Sequence, residues 1–141
     1  MAGMRKQIHD NLIALISVVI AISALGYNTW RNERTERNRN VRVAGIEMLR
    51  EIGSLQQIIF YAHYAVGDQR GEPRMGWADV QTLNDLAALM PADVMRDAAS
   101  LRATWEADAK GLVEHDDAFA RIDGAIDKLR QTTLAELRAL R

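Results

Sequence analysis

From Leu12 to Trp30 the chain reads LIALISVVIAISALGYNTW, nineteen consecutive residues without a charge. At ~1.5 Å per helical residue this stretch reaches ~28 Å, close to the thickness of a bilayer's hydrocarbon core. No other segment of the 141 residues restricts the fold as strongly. In lipid every peptide group must find its hydrogen bond inside its own segment, so one isolated span has to be a helix. The pattern predicts a single-pass transmembrane helix over residues 11–30, with Leu12, Ile16, Val19, Ile22, Leu25 and Trp30 in the span. Tyr27 and Trp30 stand at its far end, where amphipathic rings favour the headgroup level, and Arg31 follows as a charged stop. A short tail, residues 1–10, precedes it and carries Arg5, Lys6, His9 and Asp10.

Two rival readings of the segment are weaker. A buried core helix is usually shorter and lacks an aromatic and arginine collar. A cleaved signal peptide would use Arg5 and Lys6 as its basic region, Leu12–Ile22 as its apolar region and Ala24-Leu25-Gly26 as the cleavage site. The helical pattern runs on past that site, which favours a retained anchor. Two basic side chains precede the span and five follow it within a dozen residues. That balance points to a cytoplasmic bundle, with an extracytoplasmic bundle as the alternative.

Residues 31–42, RNERTERNRNVR, form a charged juxtamembrane stalk that Glu33 to Arg37 and Glu36 to Arg39 spacings support as a solvated helix. Arg31, Arg34, Arg37, Arg39 and Arg42 spread over more than half its circumference. Such a collar suits anionic headgroups in the lipid bilayer. The interleaved glutamates dilute the field, so the plainer role is a solvated stop-transfer stalk.

Residues 43–141 suffice for one modest core. A hydrophobic fraction of 48% with only two prolines favours packed helices, so the fold class is all-α: a membrane helix continuing into a small antiparallel bundle of about four helices. With no cysteine, disulfides, thiolate zinc sites and cysteine nucleophiles drop out. The net charge of −1 hides a division, because residues 43–141 carry eleven basic against sixteen acidic groups. Nucleic acid is therefore a poor partner for the bundle.

At 100° per residue, Val41, Met48, Ile52, Leu55, Ile59, Ala62 and Val66 form one core-facing stripe. A second apolar face carries Ile46, Leu49, Gly53 and Phe60, so this helix either sits centrally in its bundle or meets another chain. GDQRGEPRMG, residues 67–76, reads as an exposed connection. A short helix follows from about Trp77 to Met90, with Val80, Leu83, Ala87 and Met90 inward. Pro91 fits the first turn of a third helix, which places Val94, Ala98, Leu101, Trp105 and Leu112 on one stripe and ends at Gly111. Asp116 or Asp117 can cap a fourth, burying Phe119, Ile122, Ile126, Leu129, Leu137 and Leu140.

No motif points to catalysis, a cofactor or a metal. Glu114-His115-Asp116-Asp117 lacks the glycine and spacing of a calcium loop, and helix capping explains it better. His63, between Tyr61 and Tyr64, reads as partly exposed packing. Trp77 and Trp105 read as core or rim anchors.

Within the span Ala14, Ser17, Ala21, Ala24 and Asn28 fall on one stripe of mostly small residues, which permits close helix approach. Extended along a straight helix, this stripe approaches Ile46, Leu49, Gly53 and Phe60, although drift of about 20° per heptad weakens the alignment. The expected partner is the chain itself or another membrane protein along that seam. The expected function is a membrane-anchored, non-enzymatic interaction or regulatory module. The alternative is a sensory, ligand-binding bundle on the outer side of the membrane.

Overall fold

The computed structural model describes the backbone of residues 2–140 and the side chains of 11–140, so Arg5, Lys6, His9 and Asp10 lie outside the described side chains. Four α-helices are present among the described residues and no strand: α1 Ala2–Tyr64, α2 Pro73–Ala87, α3 Ala92–Asp108 and α4 Asp116–Ala139. The chain divides into two compact units, Met1–Arg37 and Asn38–Arg141.

In the first unit every described side chain from Asn11 to Arg37 is exposed. The apolar window near the N-terminus has a mean hydropathy of 2.0, and none of it is buried by protein. It is long and apolar enough to cross a membrane. Within it the Ser17 hydroxyl donates to the Ile13 carbonyl at 2.8 Å, one turn back on the same helix.

The second unit is a four-helix bundle with alternating helix directions. Gly45 of α1 meets Leu137 near the end of α4, and His63 near the end of α1 stacks on Phe119 near the start of α4. Asp97 early in α3 meets Thr132 late in α4, while Asp108 at the end of α3 pairs with Arg121 early in α4. Gly76 at the start of α2 touches Trp105 at the end of α3 and Leu55 of α1. Each helix thus runs against its neighbours. Short connections make this the simplest way to bring four amphipathic faces together.

The core holds the residues expected from the helical periods, with Met48, Ile52, Leu55, Ile59, Val80, Leu83, Val94, Leu101, Trp105, Ile122, Ile126 and Leu129 fully buried. Several local expectations are corrected. Helix α1 stops at Tyr64, and Val66 is 72% exposed because it lies in the turn from Ala65 to Asp68, where the Gly67 φ of +91° favours glycine. Helix α2 begins at Pro73 instead of Trp77, since proline's fixed φ suits a first helical position. Pro91 precedes α3 as its N-cap residue. Helix α3 ends at Asp108, and Leu112 reaches the core from the turn beyond it. His115 is the N-cap of α4, while Asp116 and Asp117 lie in the first turn, where carboxylates complement the exposed N–H groups without capping them. Phe119, Leu137 and Leu140 are half-buried.

Residues 67–76 are not a uniformly exposed connection either, for Gly71 before α2 and Gly76 in its first turn are buried. A Cβ on Gly71 would overlap the α1 backbone at Tyr61 and Ala62, and one on Gly76 would overlap the Trp105 ring. Gly76→Ala is therefore expected to destabilise the bundle by ~1–3 kcal/mol, as overpacking does. The check is chemical denaturation of the full chain in micelles, with Gly124→Ala as the reference because a Cβ there meets nothing within 4 Å.

Candidate functional site

Helix α1 presents its core stripe inward and, on the opposite side, the second apolar face. The four helices surround one core with α1 at the perimeter, so this second face is not central. Val43, Ile46 and Phe60 are each more than half exposed, Leu49 is half-buried, and Gly53 is half-buried with no atom within 4 Å of where a Cβ would stand. Gly53, Gln56, Gln57, Phe60 and Tyr61 line a shallow notch of ≈ 330 Å³. Tyr64 continues the strip, its ring 5.0 Å from Phe60 and 5.4 Å from Phe119.

His63 holds the far end of this helix to α4. Its Nδ1 lies 3.0 Å from the Leu112 carbonyl oxygen, its Nε2 3.2 Å from Asp116, and its ring stacks on Phe119 at 4.5 Å. A carbonyl oxygen only accepts, so Nδ1 is the donor to Leu112. The side chain is 12% exposed, which makes it a packed element of the α1–α4 contact.

Two carboxyl sites lie outside the sequence expectations. Asp97, 4% exposed, accepts from the Thr132 hydroxyl at 2.6 Å and sits 3.2 Å from the Lys128 ammonium. Burial pushes its pKa up, but the Thr132 hydroxyl and the Lys128 charge outweigh that and hold it below the usual range. Between α1 and α2, burial first, then the charge of the nearby Asp79 carboxylate, raises the Glu51 pKa. One Asp79 oxygen is buried with no hydrogen-bond partner among the described residues. No periodic pattern announces such a pair, because its members come from different helices.

These shifts act in opposite senses on stability. Asp97, lowered in the folded state, stabilises above its unfolded pKa near ~4 and loses that contribution on acidification. Glu51, raised in the folded state, binds its proton more tightly than in the unfolded chain, so stability falls as pH rises from ~4 through its folded value. Glu51→Gln is expected to raise the neutral-pH melting temperature and leave that at pH 4 nearly unchanged. Melting curves at both pH values check this.

In the apolar segment Leu12, Ile16, Val19, Ile22 and Leu25 are 50–68% exposed, and Ala14, Ser17, Ala21, Ala24 and Asn28 are exposed as well. The Tyr27 and Trp30 rings lie 6.1 Å apart. Arg31, Arg34, Arg37, Arg39 and Arg42 are exposed, with the Arg34 guanidinium 5.7 Å over the Trp30 ring. The Glu114–Asp117 run does not gather ligands: among the described residues no group of three or more His, Asp or Glu is placed to hold a metal ion. Comparison of the chain with protein-family models, curated proteins and solved structures finds no match.

Proposed function

We propose that the chain is a single-pass membrane protein whose four-helix bundle works as a non-enzymatic interaction module, through helix packing. The observation that carries the proposal is the apolar segment Leu12–Trp30, which no part of the fold covers. Exposed apolar surface of that length is satisfied in lipid and is a liability in water. The Tyr27 and Trp30 rings and the arginines after them supply a headgroup-level boundary. In the bundle, the exposed apolar strip of α1 offers surface for a helix-packing partner. The excess of basic residues after the span favours a cytoplasmic bundle.

A second reading has one observation in its favour. The groove between α1 and α2, lined by Ser54, Gln57, Ile58, Tyr61, Arg70, Met75, Ala78 and Asp79, has a volume of ≈ 440 Å³, within the range of small-ligand sites. A sensory bundle facing outward would use such a groove. Paired C-terminal fusions to a fluorescent protein and to a phosphatase active only outside the cytoplasm separate the two. Fluorescence without phosphatase activity supports the cytoplasmic interaction module; the reverse pattern favours the sensory bundle.

A further inference from the structure

We propose that the partner of the outer face of α1 is a second copy of the chain, paired in parallel with Gly53 at the closest approach. This rests on the membrane-tethered reading above, because a shared topology in one bilayer is what makes two copies parallel. Ile46, Gly53 and Phe60 recur at seven-residue intervals on the side of α1 opposite its core stripe. In a symmetric parallel pair, equivalent residues at this interval meet each other. Gly53 in the middle lets two backbones come close, and nothing of its own bundle occupies the space. Ile46 and Phe60, one heptad to either side, then close against their counterparts.

The exposed area fits this occupant. Val43, Ile46, Phe60 and Tyr64 are 62%, 53%, 54% and 62% exposed. Side chains of these sizes offer ~400–500 Å² per copy, so a symmetric pair buries on the order of 1,000 Å², the lower limit for a specific interface. Such a patch is too small to hold two free bundles together firmly in dilute solution. Confinement to one membrane plane raises the effective concentration and makes the same patch sufficient. The rim is electrically quiet, since Arg50 at its edge is paired with Glu47 at 3.2 Å. Arg39 and Arg42, the exposed residues N-terminal to Val43, mark the limit of the strip, where like charges keep the two helices apart.

The chain has no cysteine, so each introduced one is unique. Gly53→Cys, Ile46→Cys and, as a control on α3, Arg96→Cys are placed in the full chain and treated in native membranes with a short thiol crosslinker. The pairing predicts a product of twice the chain mass from the first two and monomer from Arg96→Cys. Adding Phe60→Glu to Ile46→Cys is expected to lower the crosslinked fraction about tenfold, the effect of losing one interface anchor. Membrane-recovered chain that stays monomeric at both Gly53→Cys and Ile46→Cys overturns the pairing and leaves the tether standing. A product of another mass overturns it in favour of a different protein, and recovery of the chain in the aqueous fraction overturns both readings.

Discussion

Replacing Trp105 with alanine is expected to remove ~3–5 kcal/mol from the stability of the bundle, the largest loss from any single side chain. Trp105 is fully buried, and its ring edge packs on Gly76 at the start of α2, so its removal opens a cavity between two helices and in front of a third. A bundle of this size has ~5–15 kcal/mol in total, which makes the loss a large fraction of it. One feature of the site works against tryptophan: its indole Nε1 is buried with no partner among the described residues. An unmet buried donor costs ~1–3 kcal/mol. Trp105→Phe removes that donor while keeping most of the ring, and its net cost is expected to stay within ~1 kcal/mol of the native chain. Denaturant unfolding of the full chain in micelles, followed by helical circular dichroism, checks both. A loss under ~1 kcal/mol for Trp105→Ala would contradict the packing described.

Two arginines in the middle of the apolar segment, Val19→Arg with Ile22→Arg, are expected to abolish membrane integration. The nine Leu, Ile and Val side chains of the segment each favour insertion by ~0.3–0.6 kcal/mol, giving roughly 3–5 in all. Each central arginine opposes it by ~2.5–3.5 kcal/mol, so the pair reverses the balance. Val19→Leu with Ile22→Leu is the conservative control and is expected to insert as the native chain does. In the bundle the buried core begins at Val41, so the arginine variant is expected to keep the native melting transition. A segment buried in protein would instead lose folding and solubility together. Fractionation combined with a melting curve separates the two outcomes.

Much of the architecture is legible in the sequence because it depends on periodicity. Met48, Ile52, Leu55 and Ile59 recur at threes and fours, as do Ile122, Ile126 and Leu129, and all are buried. Element ends are less legible, because they are decided by backbone detail. Val66 continues the apolar period, yet the turn through Gly67 takes it out of the core. Asp116 and Asp117 have the chemistry of caps, but the chain enters α4 one residue earlier, and Asp116 instead reaches His63. Gly71 and Gly76 look like loop glycines in sequence, while their real role, a close approach to α1 and to Trp105, exists only once helices are packed. Thr133 is buried in α4 because its hydroxyl donates to the Leu129 carbonyl at 2.8 Å and leaves only a methyl to pack. The outer strip of α1 is visible in sequence as a second apolar face. Its exposure follows from the position of α1 on the perimeter of the bundle, which no single helix's period encodes.

Residence of the uncut N-terminal helix in lipid is the claim on which tether, orientation and pairing all depend, and alkaline extraction of native membranes followed by intact-mass measurement tests it most directly. The expected result is a chain that stays with the pelleted bilayer and whose mass includes residues 12–30. A chain released into the supernatant, or one whose mass begins near Tyr27, would contradict it.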